Sequence, residues 1–491
     1  VNFFRNFLIY GLGAAASRLA AVFLVPLYTR TLSIESYGEL EVLLALHLAG
    51  VLLSGLQSES ALLRDYYAAK ERGELAGLVW GAFSISLGGL IALALGIAAV
   101  WLMGMLPLYI AQNIGLLLVL TFLAQLLGLQ LIILRFAGTP IAFSVVSFLD
   151  LGLSAVLSVI FIVGLDLGVP GAILGMVCGK SICVLVAWLR TFGRPGWPWT
   201  SNAIVRQMLA YSLPTMPSVM LGWLQTNGTR VLLAIFLTLS DVAIVGVSIR
   251  VAALYGFVVY AFRMAWEPIA FKNIDEADGD PKLYARALQI YILAMFPMAG
   301  VAILAAPVLV SIFAPAEYGA AVAITGFFVI GQFWLGATSI TSIGIHGARV
   351  TSRLTYVFGA GAAINFLTLA LLSQSMGMLA AAIGFLASQI VGTILAAWYS
   401  ERHFSTNFHG RSLVCAAIAS AILAVGSFEI YRPFADPEVS RWTTYLPYLE
   451  MACLVAALAA IISAWGIERE VLAAANSEVR SLRSRFRVLL K

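Results

Sequence analysis

Charge is what this sequence has least of. Asp, Glu, Lys and Arg make up only 11% of its 491 residues while 61% are apolar, against about a quarter charged in a soluble domain. The mean hydropathy is +0.96. A chain this dry cannot clothe a particle of its size in polar surface, which excludes a soluble enzyme and a nucleic-acid partner. Long polar stretches are missing too. The outer loop RPFADPEVSRWTTYLP and the inner RTFGRPGWPWTSNAIVRQ are too short to fold alone as catalytic domains. No phosphate-cradling glycine loop, catalytic triad or metal spacing occurs, so neither enzymatic activity nor a cofactor is expected. Cysteine is scarce: Cys178, Cys183, Cys415 and Cys453 all fall in apolar runs and read as small buried hydrophobes. His403 and His409 share a loop with no acid or cysteine partner and read as solvated.

What the chain does have is apolar length. Runs of roughly 20 residues recur from end to end, which suits membrane-crossing helices and not barrel strands of about 10 residues. With 43 Gly, 16 Pro and 11 Trp distributed through them, the runs have the usage of packed transmembrane helices with interfacial aromatics. The expected fold is an all-α polytopic membrane protein of about 14 transmembrane helices. Their expected positions are about 6–29, 39–63, 77–102, 113–135, 141–164, 169–190, 207–237, 242–271, 285–313, 319–346, 353–373, 377–400, 412–431 and 447–466. The N-terminal run is too long for a signal-peptide core and is expected to stay as the first helix; Val1 reads as an alternative start or the residue left by a trimmed methionine.

Orientation follows from lysine and arginine, because positive loops stay cytoplasmic. With the N-terminus inside, 21 of the 29 basic residues fall in inner loops or the C-terminal tail and only Arg30, Arg432 and Arg441 in outer ones. Both termini are thus expected in the cytoplasm. The Pro- and Trp-bearing linker near mid-chain separates six spans from the rest. Each half opens on a similar Gly- or Pro-containing helix, YGLGAAASRL and YSLPTMPSVM, and internal repeats are how transporters enclose a central cavity. The expected organisation is a six-helix bundle over 1–190, a linker over 191–206, a second six-helix bundle over 207–400, two additional helices over 401–466 and a basic amphipathic tail over 467–491. The tail is expected to lie on anionic membrane lipid.

Five basic residues remain inside spans: Arg18, Lys180, Arg230, Arg250 and Arg263. A charge at the bilayer centre costs about 2.5–3.5 kcal/mol on insertion scales, so each needs a watery cavity or a partner. The deep acids read against them are Asp150, Glu59 and Glu267, which would leave about two bases over and a cavity that favours an anion. Lys180 reads as a cavity base or as the partner of Asp150 on the adjacent span. Arg230 reads as a cavity base or as a side chain reaching the headgroups. Arg263 and Glu267 stand four apart on one helix face and can pair there. Arg18 and Arg250 have no acid near them in sequence and read as cavity residues. Polar residues such as His47, Gln125, Asn227, Asn365 and Gln389 fit either sugar hydroxyls or interhelical hydrogen bonds.

The stretch VPLYTRTLSIESYGELEVLLAL resembles the opening of the polysaccharide biosynthesis (PST) and O-antigen flippase families. The residues that carry the resemblance are Pro26, Leu27, Thr29, Arg30, Leu32, Tyr37 and Gly38. Those families belong to the multidrug/oligosaccharidyl-lipid/polysaccharide exporter superfamily. The resemblance implies two six-helix bundles across a central cavity and a location in the bacterial inner membrane. It implies transport of an undecaprenyl-diphosphate-linked glycan by alternating access, with the polysaccharide polymerase and export machinery as further partners. Substrate binding would fall to Arg18, Lys180, Arg230, Arg250 and Arg263, since guanidinium and ammonium groups both take phosphate. Gating or coupling would fall to Glu59, Arg64, Asp150 and Glu267, driven by the membrane potential or by H+ or Na+. A multidrug and toxin extrusion (MATE)-like cation antiporter, a lipid II flippase and a membrane-embedded glycosyltransferase are the rival readings. The first predicts acids instead of bases in the cavity, and the last needs a large outer loop or an acidic motif.

Overall fold

The computed structural model describes residues 24–137, 139–191, 200–275, 280, 282–348, 350, 352–404, 406, 408, 410–435, 442–467 and 471. Among these every regular element is helical, as lipid requires of a backbone that must satisfy its own N–H and C=O groups. Eleven helices among the described residues are long and apolar enough to cross a membrane. The helices are α1 (Val25–Thr31), α2 (Ile34–Gly55), α3 (Ser58–Glu71), α4 (Leu75–Leu102), α5 (Leu108–Phe136), α6 (Pro140–Val159) and α7 (Gly168–Thr191). They continue with α8 (Asn202–Ser212), α9 (Met216–Thr226), α10 (Gly228–Phe236) and α11 (Leu239–Asp275). The remainder are α12 (Lys282–Leu304), α13 (Ala306–Phe313), α14 (Ala320–Thr341), α15 (Ile343–Gly347), α16 (Arg353–Met376), α17 (Met378–His403), α18 (Gly410–Tyr431) and α19 (Trp442–Trp465).

Several expected spans are not single rods, the second and the seventh among them. The second starts earlier than its hydrophobicity suggests, because Ser33 caps α2 by accepting the Ser36 N–H at 3.2 Å. It then breaks where Leu56 and Gln57 both take left-handed backbone, φ 45° and 57°, and restarts as α3. The seventh is three short helices. Pro214 and Pro217, which have no N–H to donate, each open a new turn. The Thr215 and Ser218 hydroxyls donate to the carbonyls of Ser212 and Thr215 at 2.7 and 2.8 Å, the side-chain compensation that lets a membrane helix carry proline. Most of the expected first span and of the basic tail lies outside the described residues.

The chain forms two compact units that divide within α11, between Gly246 and Val247. The first unit therefore holds α8, α9, α10 and the first turns of α11 together with α1 to α7. In it, Leu62, Tyr66, Ala82, Leu129 and Met208 form one buried cluster that seats the amphipathic α8 against α3 and α4. The hairpin of α6 and α7 packs backbone against backbone. A Cβ on Gly175 or Gly179 would sit 2.3 and 2.5 Å from the amide nitrogens of Ser158 and Ser154, so only glycine fits. That closeness sets Asp150 opposite Lys180. α4 has only 11% of its apolar window buried, and Leu87, Ile91 and Leu95 on it are exposed, a face made for lipid.

In the second unit α14 is the central helix, with 83% of its apolar window buried. Its ring-rich core, Phe327, Phe328, Phe333 and Trp334, is fixed by hydrogen bonds that leave no freedom of register. Trp334 Nε1 donates to Ser420 Oγ at 2.9 Å, Tyr291 OH donates to the Phe333 carbonyl at 2.6 Å, and Thr338 and Thr393 share a bond of 2.8 Å. Such a polar net inside an apolar core specifies one packing, because any slip strands several buried groups.

Candidate functional site: ionisable groups within the spans

The densest arrangement joins α2 to α10 and the start of α11. Glu41 is buried on α2, and its Oε2 lies 2.9 Å from Arg230 Nε on α10, with the two side chains 1% and 10% exposed. Tyr37, one turn back, donates its hydroxyl to Glu41 Oε1 at 2.7 Å. Arg230 Nη1 donates in turn to Asn227 Oδ1 at 3.3 Å. Further along α2 toward its N-terminus, Glu35 Oε1 accepts from Ser240 Oγ at 2.9 Å. Between these contacts Gly38 meets the Leu239 carbonyl so closely that a Cβ would stand 1.9 Å from its oxygen. Arg230 is therefore neutralised by a carboxylate within the protein. Glu41 was not among the acids read from the sequence, although its spacing of four from Tyr37 on a helical face was visible there.

A second arrangement lies on the α6–α7 hairpin. Lys180 Nζ donates to both Asp150 oxygens at 2.9 and 2.8 Å, with side chains 16% and 24% exposed. His47 on α2 sits within electrostatic reach of that ammonium, and its Nδ1 is 3.1 Å from Thr121 Oγ1. In the second unit, Arg263 pairs with Glu267 at 3.3 Å along one face of α11. Arg250 is half-buried on the same helix. Arg18 lies outside the described residues.

Of the gate candidates, Arg64 contacts its neighbour Asp65 at 3.2 Å and lies over the Tyr211 ring of α8 at 4.3 Å. Asp65 also accepts from Gln207 at 3.3 Å, so this corner ties α3 to α8. Glu59 is different. It follows the left-handed break at Leu56 and Gln57, and its Oε1 points at Gly128 of α5, 2.5 Å from where a Cβ would be. Among the described residues no base pairs with it. Glu59→Gln keeps the shape and removes the charge, so it is expected to raise the melting temperature at neutral pH, because a partly buried carboxylate without a base costs more to desolvate than an amide. An unchanged melting temperature would place Glu59 in water.

Long helices of lipid-spanning length, with carboxylate–base pairs set inside them, define a multi-pass membrane protein of the class that includes channels and transporters. Residues 28–323, more than half of the chain, match the family described as polysaccharide biosynthesis protein. The chain belongs to that family. Among solved structures, the lipid II flippase MurJ in an inward closed conformation is 14% identical over 93% of this chain and 98% of its own, with a TM-score of 0.67. An inward-facing MATE family multidrug resistance transporter of the MOP superfamily is 16% identical over 82% and 96%, with a TM-score of 0.60. An outward-facing MATE family structure gives 16% over 81% and 95%, with a TM-score of 0.56. These likenesses establish the fold, which the chain shares with those structures. No curated protein matches the chain.

Proposed function

We propose that this protein is a flippase that moves an undecaprenyl-diphosphate-linked oligosaccharide from the cytoplasmic to the periplasmic leaflet of the bacterial inner membrane by alternating access. The observation that carries this reading is the family match on a transporter fold. The intramembrane bases give it a chemistry. A diphosphate offers charge and oxygen acceptors that exchange readily with carboxylate at a guanidinium or ammonium group. Arg18 and Arg250 are the proposed first contacts of the diphosphate. Lys180, Arg230 and Arg263 are held by Asp150, Glu41 and Glu267, so an anion that binds them displaces a carboxylate and breaks a contact between or along helices. Displacing Glu41 is the step with structural consequence. α2 belongs to the first six spans, α10 and α11 to the seventh and eighth, and alternating access in a repeat transporter separates such helices. The Glu41–Arg230 and Glu35–Ser240 contacts are the proposed outer gate.

Coupling is proposed to rest on the membrane potential or on an H+ or Na+ gradient, with Glu59 and Asp150 as the acids that would carry it. The termini are proposed to be cytoplasmic, and the polymerase and export machinery that receive the product to be functional partners. A gene deletion tests the whole reading. It is expected to accumulate an undecaprenyl-linked repeat unit on the cytoplasmic side, with export restored by the parent gene and reduced by at least about tenfold in Arg18→Ala or Arg250→Ala, the loss of about one charge-assisted phosphate contact. Full complementation by both variants would remove the anion-binding proposal. A MATE-like drug exporter is the second reading, favoured by the acids Glu39, Glu41, Asp150 and Glu59 in the first unit. It predicts that the deletion sensitises cells to cationic drugs while the lipid-linked saccharide stays at parental levels.

A further inference from the structure

We infer that one end of the second unit is a binding surface for anionic phospholipid headgroups, built from arginines that lie on aromatic rings. At the end where α16 and α18 begin and α17 and α19 finish, the Arg402 Cζ lies 3.7 Å from the centre of the Trp398 ring. Arg353 stands 5.7 Å from both Tyr356 and Tyr399, and Arg411 stands 5.9 Å from Trp465. Tyr399 touches Trp398 and Tyr356 at ring-centre distances of 4.8 and 6.4 Å, so the first two arginines share one aromatic platform. Topology puts the third at the same end, because only residues 404–409 separate α17 from α18.

Three observations select the occupant. Among the described residues no carboxylate is in ion-pair range of Arg353, Arg402 or Arg411, and the nearby Glu401 accepts instead from Thr406 and the Phe408 amide. The platform faces outward: Trp398 is 44%, Tyr356 57% and Trp465 73% exposed. Below it, Leu367, Leu371, Ile394, Val414, Ile418 and Ile461 are exposed along the same helices, an apolar wall that only acyl chains cover in a membrane. A ligand here must therefore be apolar along its length and anionic at its head. Stacking a guanidinium on a ring supports its face and leaves the N–H edge free, the edge that grips a phosphate oxygen pair. Indole and phenol rings at headgroup depth hold the same position against the bilayer. A phosphodiester lipid of net negative charge satisfies every element of this surface, whereas a zwitterionic one brings an ammonium group to three arginines that have no carboxylate in range among the described residues.

The test uses the full chain in detergent, exchanged into mixed micelles containing either phosphatidylglycerol or phosphatidylcholine, with retained lipid counted by native mass spectrometry. The parent is expected to retain phosphatidylglycerol in preference. The triple variant Arg353→Gln, Arg402→Gln, Arg411→Gln is expected to lose that preference by at least about tenfold, given the contribution of each basic residue at an anionic surface. Arg432→Gln, at the opposite end of α18, should keep it. Trp398→Leu preserves every charge and should lower the preference through the loss of the stacked platform. An undiminished preference in the triple variant overturns the inference, and so does an equal loss in Arg432→Gln, which would make the effect one of net charge. All five substituted side chains are partly or fully exposed, and a parental melting temperature in each variant confirms that the fold is intact.

Discussion

Glu41→Ala is expected to destabilise the protein by about 3–5 kcal/mol, the cost of leaving one partner of a buried ion pair without the other. Arg230 would keep its guanidinium in a space 10% exposed with the Asn227 side chain in hydrogen-bond contact. Arg230→Ala should cost a similar amount, because Glu41 is 1% exposed and would be left as a buried carboxylate without its base. The informative variant is the double one. Removing both charges relieves the desolvation that each single variant leaves uncompensated, so the double variant should be more stable than the sum of the singles by a coupling well above about 1 kcal/mol. Tyr37→Phe should cost about 1.5–3 kcal/mol, one hydrogen bond to a charged acceptor. Thermal melting followed by tryptophan fluorescence measures all four. A single-variant cost of about 0–1 kcal/mol, the range of exposed pairs, would show that water reaches the pair and that no buried latch exists there. Under the proposed gate the double variant has a second signature: it folds, yet exports less, because α2 no longer holds α10 in one of the two states that transport alternates between.

The architecture was legible because lipid writes it into composition. Helices α4, α5, α7, α16, α17 and α18 follow the expected spans within a few residues, since a membrane helix must be apolar for its whole length and ends where that stops. The departures come where local chemistry overrides hydrophobicity. α2 begins at Ile34 because Ser33 caps it, although Ser33, Glu35 and Ser36 make the stretch before residue 39 look like loop. Span seven divides at Pro214 and Pro217, where a bend was foreseeable and its three-helix form was not. The Lys180–Asp150 partnership was open in the sequence from the adjacency of two spans, and the glycines of α7 bring it to 2.8 Å. Glu41 was hidden for a physical reason. Hydropathy places it in a polar cluster near a helix start, and only the packing of α10 against α2 turns that position into a buried one. The surplus of bases inferred from composition is thus smaller in the structure, where among the described residues Lys180, Arg230 and Arg263 each have a carboxylate in contact.

Gly38→Ala is expected to have the largest effect per atom added. Its methyl would occupy a point 1.9 Å from the Leu239 oxygen and 2.7 Å from the Leu239 carbonyl carbon. Those are backbone atoms at the first residue of α11, so no rotamer change relieves the clash and one of the two helices must shift. Overpacking of this kind costs about 1–3 kcal/mol. The shift also falls on a contact set that tolerates little, since Glu35 meets Ser240 at 2.9 Å on one side of Gly38 and Glu41 meets Arg230 at 2.9 Å on the other. The variant should insert and fold, because α2 keeps its cap and its apolar face, but it should not regain this contact between α2 and α11. Cysteines placed by Glu35→Cys and Ser240→Cys report it directly: they should oxidise to a disulfide readily with Gly38 present and poorly with alanine there. Equal rates in the two backgrounds would mean that α2 and α11 do not approach this closely in the membrane. Poor crosslinking together with lost export would instead make Tyr37 and Gly38, two of the residues that carry the family resemblance, the seat on which the gate closes.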